Sequence, residues 1–137
     1  MAGSTVAGSC LCGVVQFEIE LPTLFCAHCH CSMCRRAHGA SFVTWCGVPP
    51  ERMRITAGAQ DLVNFKSSKL GSRNCCRHCG SQLFCQTHAE HIDIALASLH
   101  GPIDREPEAH YFYASRAAWT RINDDLPKFA GDGTDER

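Results

Sequence analysis

The chain has 137 residues, of which 45% are hydrophobic and 20% are charged, and its formal net charge is −1. This length and composition are ordinary for one globular domain with its own core. The near-neutral charge argues against a general attraction to nucleic acid or to anionic membranes, and the apolar runs are too short to cross a bilayer.

Hydrophobic periodicity predicts many short strands and very little helix. Residues 15–21 alternate apolar and polar side chains, as half-buried strands do, and residues 40–46 are rich in aromatic and β-branched types. One helix of one or two turns is expected over residues 32–38, closed by Gly39. Further strands are expected between turn signals at residues 53–56, 62–66, 82–85, 92–96 and 110–113. The pattern predicts a mainly β fold in which metal anchors the loops.

The eleven cysteines are the unusual feature of the composition. An exported protein would use them for disulfides, whereas in a reducing cytoplasm cysteines more often bind metal. The first residues, Met1 to Val6, have neither the cationic start nor the apolar stretch of an export signal. The odd count and the close spacing of seven cysteines also favour metal, since near neighbours rarely form disulfides with each other. We therefore expect a cytoplasmic metal protein.

Two of the cysteine motifs are pairs. Cys10 and Cys12 would face the same side of an extended strand, although the pair is also consistent with two small buried apolar side chains. Cys76 and Cys79, followed by Gly80, form a zinc-knuckle pattern: the turn brings two thiolates to one ion, and glycine accepts a left-handed backbone. A redox dithiol would need a βαβ context, which the sequence does not predict.

The third motif places Cys29, Cys31 and Cys34 within six residues. An extended segment that runs into a helical turn lets three thiolates converge on one face. A helix starting near Ser32 would also direct backbone amides towards the last sulfur. Metal binding by this motif is the expected role.

Seven cysteines are one short of two complete tetrahedral sites. Structural zinc sites have four protein ligands, whereas catalytic ones keep one position open, so the two pairs can close one site and leave the triple open. Spacing leaves other groupings possible, because His28 or His30 could complete the triple. His30 lies between two cysteines and would point away from them on an extended chain. Seven thiolates and two Zn²⁺ would bring the net charge to about −4.

In this order, the motifs resemble those of the glutathione-dependent formaldehyde-activating enzyme family, which also includes centromere protein V. The late segment is similar too, with Ser115-Arg116, Trp119 and Leu126-Pro-Lys-Phe129. The resemblance covers about residues 9–129 and implies one domain over residues 1–137, with a polar tail at 130–137. One departure is Cys75, which stands where relatives often carry an aromatic residue.

The resemblance implies a zinc-bound β-sandwich of the Mss4-like type with two Zn²⁺ per chain. It also implies carbon–sulfur lyase or synthase chemistry, with glutathione and formaldehyde in equilibrium with S-(hydroxymethyl)glutathione. Zinc ligands do not by themselves specify a substrate. The implied ligands are Cys10, Cys12, Cys76 and Cys79 for a structural zinc, and Cys29, Cys31 and Cys34 for a catalytic zinc.

Three thiolates on Zn²⁺ favour activation of a thiol over generation of hydroxide, because they donate strongly to the metal and a further thiol is a good soft ligand. The resulting thiolate would add to an aldehyde carbon, and an acid must protonate the alkoxide. Candidates for that acid, close to the triple in sequence, are His28, His30 and His38.

Glutathione carries two carboxylates, so its pocket should offer cationic donors. Arg35 and Arg36 follow the triple directly, and Arg116 lies in the late segment. Trp45 and Trp119 could wall the pocket, although packing in the core is the default expectation for both. The cysteines outside the motifs are expected to be buried as small apolar side chains: Cys26, Cys46, Cys75 and Cys85.

Three functions compete at this point. The first is a zinc-dependent lyase acting on a thiol–aldehyde adduct. The second is a zinc-stabilised module that binds glutathione or another protein without turnover. The third, a nucleic-acid-binding zinc module, is disfavoured by the net charge and by the lack of a basic stripe. The first two differ at the fourth position of the triple, which an enzyme keeps open and a scaffold fills. The sequence does not indicate an oligomeric state.

Overall fold

The computed structural model describes residues 3–132. Residues 133–137 of the predicted tail at 130–137 therefore lie outside the described part of the chain. The described residues form ten strands and one α-helix, α1 (Ser32–His38). Four short 3₁₀ turns occupy Pro50–Arg52, Ala59–Asp61, Leu96–Ser98 and Tyr113–Ser115. The strands are β1 (Thr5–Ser9), β2 (Gln16–Glu20), β3 (Phe25–Cys29), β4 (Val43–Val48), β5 (Met53–Ala57), β6 (Leu62–Lys66), β7 (Ser72–Cys76), β8 (Gln82–Gln86), β9 (Ile92–Ala95) and β10 (His110–Tyr111).

The strands form two sheets. The smaller is antiparallel, in the order β1-β2-β5, and the larger has the order β10-β3-β4-β9-β8-β7-β6. Within the larger sheet only the short β10 pairs in parallel, placing His110 beside His28 on β3. This pairing brings a late segment of the chain next to the first residues of the cysteine triple.

One apolar core joins the two sheets. Phe17 and Ile19 of the smaller sheet and Leu83 and Ile94 of the larger one are almost completely buried in the same cluster. Burying side chains of this size contributes about 1.5–3 kcal/mol each. The shared core makes the arrangement a β-sandwich and confirms the predicted mainly β class with little helix.

Several predicted elements agree closely with the structure. The helix at 32–38 and the strand at 62–66 are found with the predicted bounds. The strand predicted at 40–46 is Val43–Val48, because the chain needs residues 40–42 to turn back after the helix ends at Gly39. The strands predicted at 92–96 and 110–113 end earlier, as 3₁₀ turns take over their last residues.

Three strands were not predicted from the sequence: β1, β3 and β7. Residues 72–76 read Ser-Arg-Asn-Cys-Cys and show no apolar alternation, yet they pair with β6 on one side and β8 on the other. Their extended conformation comes from these neighbours. In the part of the chain that the structure describes, no helix is long and apolar enough to cross a membrane.

Candidate metal centre

Four cysteines meet where the β1–β2 and β7–β8 connections come together. Sulfur atoms of Cys10, Cys12, Cys76 and Cys79 lie within 4.8 Å of one another. The Cys10–Cys12 sulfur distance is 3.6 Å and the Cys12–Cys76 distance is 3.8 Å. Tetrahedral zinc with metal–sulfur bonds of ~2.3 Å places its sulfurs roughly 3.8 Å apart, so the cluster fits a four-thiolate ion. We call this group the closed cluster.

Turns rather than extended strand present these sulfurs, so the predicted extended conformation of Cys10 to Cys12 is wrong. The Gly13 amide donates to the Cys10 carbonyl and closes a turn, and the Val15 amide donates to the Cys10 sulfur at 3.3 Å. In the second turn Gly80 has a φ of +77°, the left-handed conformation expected for the residue after a knuckle. A backbone amide that donates to a sulfur, as the Val15 amide does, stabilises the thiolate form of that cysteine.

Three more cysteines converge where β3 leads into α1. The sulfurs of Cys29, Cys31 and Cys34 lie within 4.8 Å of one another. Cys31 is the N-cap of the helix, and its sulfur accepts a hydrogen bond from the Cys34 amide at 3.2 Å. The expected amide donation therefore goes to Cys31 and not to the last sulfur. Hydrogen bonds from Cys29 and Cys34 hold the pKa of the Cys31 thiol far below its usual value. We call this group the open cluster.

No fourth His, Cys, Asp or Glu side chain completes the open cluster among residues 3–132. His30 is fully buried, and its Nε2 lies 2.9 Å from Nδ1 of His110. His28 places its Nδ1 2.8 Å from the Thr44 hydroxyl. Both histidines contact other partners. Neither therefore completes the cysteine triple as its fourth ligand, which the sequence had left possible.

A chain of hydrogen bonds runs from the surface to His30. Asp124 contacts Nε2 of His110 at 2.9 Å, and the other ring nitrogen of His110 meets His30. Burial, followed by the neighbouring His110, lowers the pKa of His30 to about 4. Nδ1 of His30 is buried and has no hydrogen-bond partner among the described residues. Ligand atoms of His28, His110 and Asp124 also lie within 4.8 Å of one another.

Two of the three arginines predicted for substrate binding lie together. Nη2 of Arg35 donates to the Ser115 carbonyl at 3.1 Å, and the Arg116 guanidinium lies 4.3 Å from the centre of the Tyr113 ring. The Tyr113 ring in turn contacts the His30 ring edge-on, with 5.2 Å between the two ring centres. Arg36 is exposed on the helix. Arg35 and Arg116 thus form a cationic surface next to His30. This surface stays a predicted substrate site.

His38, the third candidate acid, lies at the end of α1 against Trp45. Its Nε2 is buried and has no hydrogen-bond partner in the part of the chain that the structure describes. Burial, followed by Arg73, lowers the pKa of His38 to about 4. His38 also lines a surface cavity of about 750 Å³, which extends towards Cys10 and His100 and is not lined by the cysteines of the open cluster.

The remaining predictions have mixed outcomes. Trp45 is buried, whereas Trp119 is 72% exposed, so the expectation that it packs in the core is wrong. Cys26, Cys46 and Cys85 are buried as expected, and Cys75 is partly buried. All eleven cysteines are free of disulfides.

Sequence reasoning missed Arg73, on β7. Its side chain is buried, and its Nη2 lies 3.5 Å from the Cys34 sulfur. The one available signal is an arginine three residues before a knuckle cysteine, and its burial cannot be predicted without the strand. His110 and Asp124 were missed for a similar reason, because His110 meets His30 from 80 residues away and Asp124 contacts His110.

Comparisons with known proteins agree with this geometry. The family described as "Glutathione-dependent formaldehyde-activating enzyme" matches residues 5–115. A protein of Podospora anserina is 32% identical over 100 residues, covering 71% of this chain and 46% of its own length. One of Talaromyces marneffei is 27% identical over 113 residues, covering 77% and 60%. Both are provisionally named glutathione-dependent formaldehyde-activating enzymes, and the chain spans about half the length of the curated relatives it matches.

A solved structure shares the fold. The crystal structure of a Rhodobacter sphaeroides protein has a TM-score of 0.61 at 27% identity, covering 72% of this chain and 91% of that one. This likeness supports the Mss4-like fold. With the family match over most of its length, the chain belongs to the glutathione-dependent formaldehyde-activating enzyme family.

Proposed function

We propose that the protein is a zinc-dependent carbon–sulfur lyase or synthase that activates a thiol, glutathione or a close analogue, for reversible addition to an aldehyde such as formaldehyde. The observation that carries the proposal is the incomplete open cluster. Three cysteine sulfurs converge, and no fourth ligand from residues 3–132 joins them. An open fourth position is typical of catalytic sites, whereas four protein ligands are typical of structural ones.

Two zinc ions per chain fit the two clusters. The closed cluster, Cys10, Cys12, Cys76 and Cys79, would hold a structural ion. The open cluster, Cys29, Cys31 and Cys34, would hold the catalytic one, where Zn²⁺ supplies a soft Lewis acid that lowers the pKa of a fourth, incoming thiol. Free cysteines in such number also suggest a reducing, cytoplasmic location.

The residues around the open cluster would orient the reactants. Arg35 and Arg116 offer donors for the carboxylates of glutathione. The thiolate sulfur forms a bond to the aldehyde carbon, the π electrons of the carbonyl move to oxygen, and that oxygen takes up a proton. Asp124 accepts from Nε2 of His110, so with one proton on each ring Nδ1 of His110 accepts from Nε2 of His30, which leaves Nδ1 of His30 as an acceptor. Among the described residues this Nδ1 has no hydrogen-bond partner, and we assign to it the proton that the thiol releases and the aldehyde oxygen takes up.

Metal content and turnover test the proposal together. The wild type should hold two zinc ions and Cys31→Ser one, and glutathione titrated into each should bind only the wild type, with release of a proton. Cys75→Ser is the matched control, since Cys75 is partly buried and belongs to neither cluster. Formation of the thiol–aldehyde adduct should then be catalysed by the wild type and the control only.

Two outcomes would contradict the proposal. If Cys31→Ser loses zinc but neither protein binds glutathione, the glutathione assignment fails. If the wild type binds glutathione but does not accelerate adduct formation with any aldehyde, the protein is a zinc-stabilised binding module.

A further inference from the structure

A buried cation lies beside the open cluster without a carboxylate partner. Arg73 is 8% exposed, and its one side-chain hydrogen bond within residues 3–132 runs from Nη2 to the Cys34 sulfur at 3.5 Å. Its Nε and Nη1 groups are buried and have no hydrogen-bond partner in the described part of the chain. Among residues 3–132 the ion pairs that the structure forms do not include Arg73. A buried, unpaired guanidinium is costly, so an anion must balance it.

Three groups near Arg73 that can carry negative charge are cysteine sulfurs. Electrostatic interactions join it to Cys34, Cys85 and Cys31. Cys85 is an unsuitable partner, because its sulfur lies 3.8 Å from an Asp93 carboxylate oxygen, to which it donates as a neutral thiol. The balancing charge is therefore that of the open cluster.

We propose that Arg73 is the counter-cation of the open cluster and a determinant of its zinc affinity. Three cysteine thiolates on Zn²⁺ would give the filled site a net charge of −1. Nη2 of Arg73 lies 3.5 Å from the Cys34 sulfur, so its fixed positive charge stabilises the thiolate that this ligand must become to bind the ion, although it repels the ion itself. Arg73 acts through Cys34 and is a positioning residue.

The role extends to substrate, and this extension rests on the proposed function. A thiolate that takes the fourth position brings the site to −2, and the charge of Arg73 favours this step again. Its Nε and Nη1 groups remain available as donors to the added negative charge.

The closed cluster provides an internal control. Its full set of four thiolates would carry −2 when filled, yet Cys12 is exposed and Cys79 is partly exposed, so water can solvate the charge. Removing Arg73 should therefore weaken one site and spare the other in the same molecule.

The test compares Arg73→Met, which removes the charge at similar length, with Arg73→Lys, which keeps it. Zinc affinities are measured by chelator competition on the full chain, with and without Cys31→Ser to identify each site. We expect Arg73→Met to weaken the zinc affinity of the open cluster about 10- to 100-fold, as changes to groups that support metal ligands do. Arg73→Lys should keep most of this affinity. The zinc affinity of the closed cluster should not change in either variant. Arg54→Gln, at an arginine whose side chain is 73% exposed, should match the wild type.

Cobalt(II) at the open site gives a second readout, because its absorption reports the ligand field without any turnover. Arg73→Met should shift this spectrum and Arg73→Lys should not. An open-site affinity within twofold of the wild type in Arg73→Met would overturn the proposal. Equal loss of zinc from both clusters in the Met and Lys variants would also overturn it, since Arg73 would then support packing alone. A wild type that binds two zinc ions but no glutathione would refute the proposed function, while the zinc affinities would still decide the role of Arg73.

Discussion

The closed and the open cluster present sulfur to a metal in different surroundings. The closed cluster lies near the surface: Cys12 is exposed, and the amides of Val15 and His78 donate to its sulfurs. The open cluster has no exposed cysteine: Cys29 and Cys31 are partly buried, and Cys34 is buried against Trp45 and beside the buried Arg73. Water and backbone amides can compensate charge in the first case, whereas in the second we propose that the fixed cation Arg73 does so. The same ligand type can therefore serve a structural site or a site built to change its charge during function.

The largest expected difference is in stability. Cys76→Ser removes a ligand that ties β7 to the β1–β2 turn, and the free energy of unfolding should fall by about 3 kcal/mol or more, because metal binding at a structural site is coupled to folding. Urea unfolding of the zinc-loaded protein measures this change. Cys75→Ser, one residue away and outside both clusters, should cost less than about 1 kcal/mol. Equal losses in the two variants would show that the closed cluster is not a structural metal site.

A second prediction concerns the open cluster. Cys31→Ser should reduce adduct formation at least about 100-fold while changing the free energy of unfolding by less than about 1.5 kcal/mol, since this cluster joins only β3 and α1. Steady-state turnover and urea unfolding of the same preparation test both parts. A fall in stability as large as that of Cys76→Ser would remove the distinction between the clusters.

The cationic surface beside the open cluster gives a smaller effect. Arg116→Gln should raise the KM for glutathione about tenfold and leave kcat nearly unchanged, because an exposed charge-assisted hydrogen bond contributes about 1.5 kcal/mol to binding. The exposed Arg54→Gln variant serves as the control. A KM that stays constant in Arg116→Gln would remove this residue from the substrate site.

The smallest effect is a dependence of stability on pH. Burial, followed by Arg73, lowers the pKa of His38 from 6.5 to about 4. As the pH falls, the unfolded chain therefore binds a proton at His38 before the folded chain does. The contribution of neutral His38 to the free energy of unfolding is fully present above pH 6.5 and is lost as the pH falls towards 4. Unfolding of His38→Gln at a series of pH values should show a shallower decline over this window, and a decline equal to the wild type's would contradict the assignment.

Sequence reasoning worked where local chemistry decides the structure. The helix at 32–38 follows from its flanking motif and from Gly39, and both cysteine groupings follow from chelate spacing and the family resemblance. It failed where the answer depends on distant neighbours. The strand at 72–76 has no apolar alternation, so neither the strand nor the burial of Arg73 could be predicted. The contact of His30 with His110 spans 80 residues and depends on the parallel pairing of β10 with β3.

The most direct test of the central claim is a titration of glutathione into protein carrying cobalt(II) at the open cluster and zinc at the closed one. Three cysteine ligands and an open position predict that the sulfur-to-cobalt charge-transfer band grows to saturation with one glutathione per chain, and that one proton is released. The change should be absent in Cys31→Ser. An absorption spectrum that already reports four sulfur ligands and does not respond to glutathione would contradict the account.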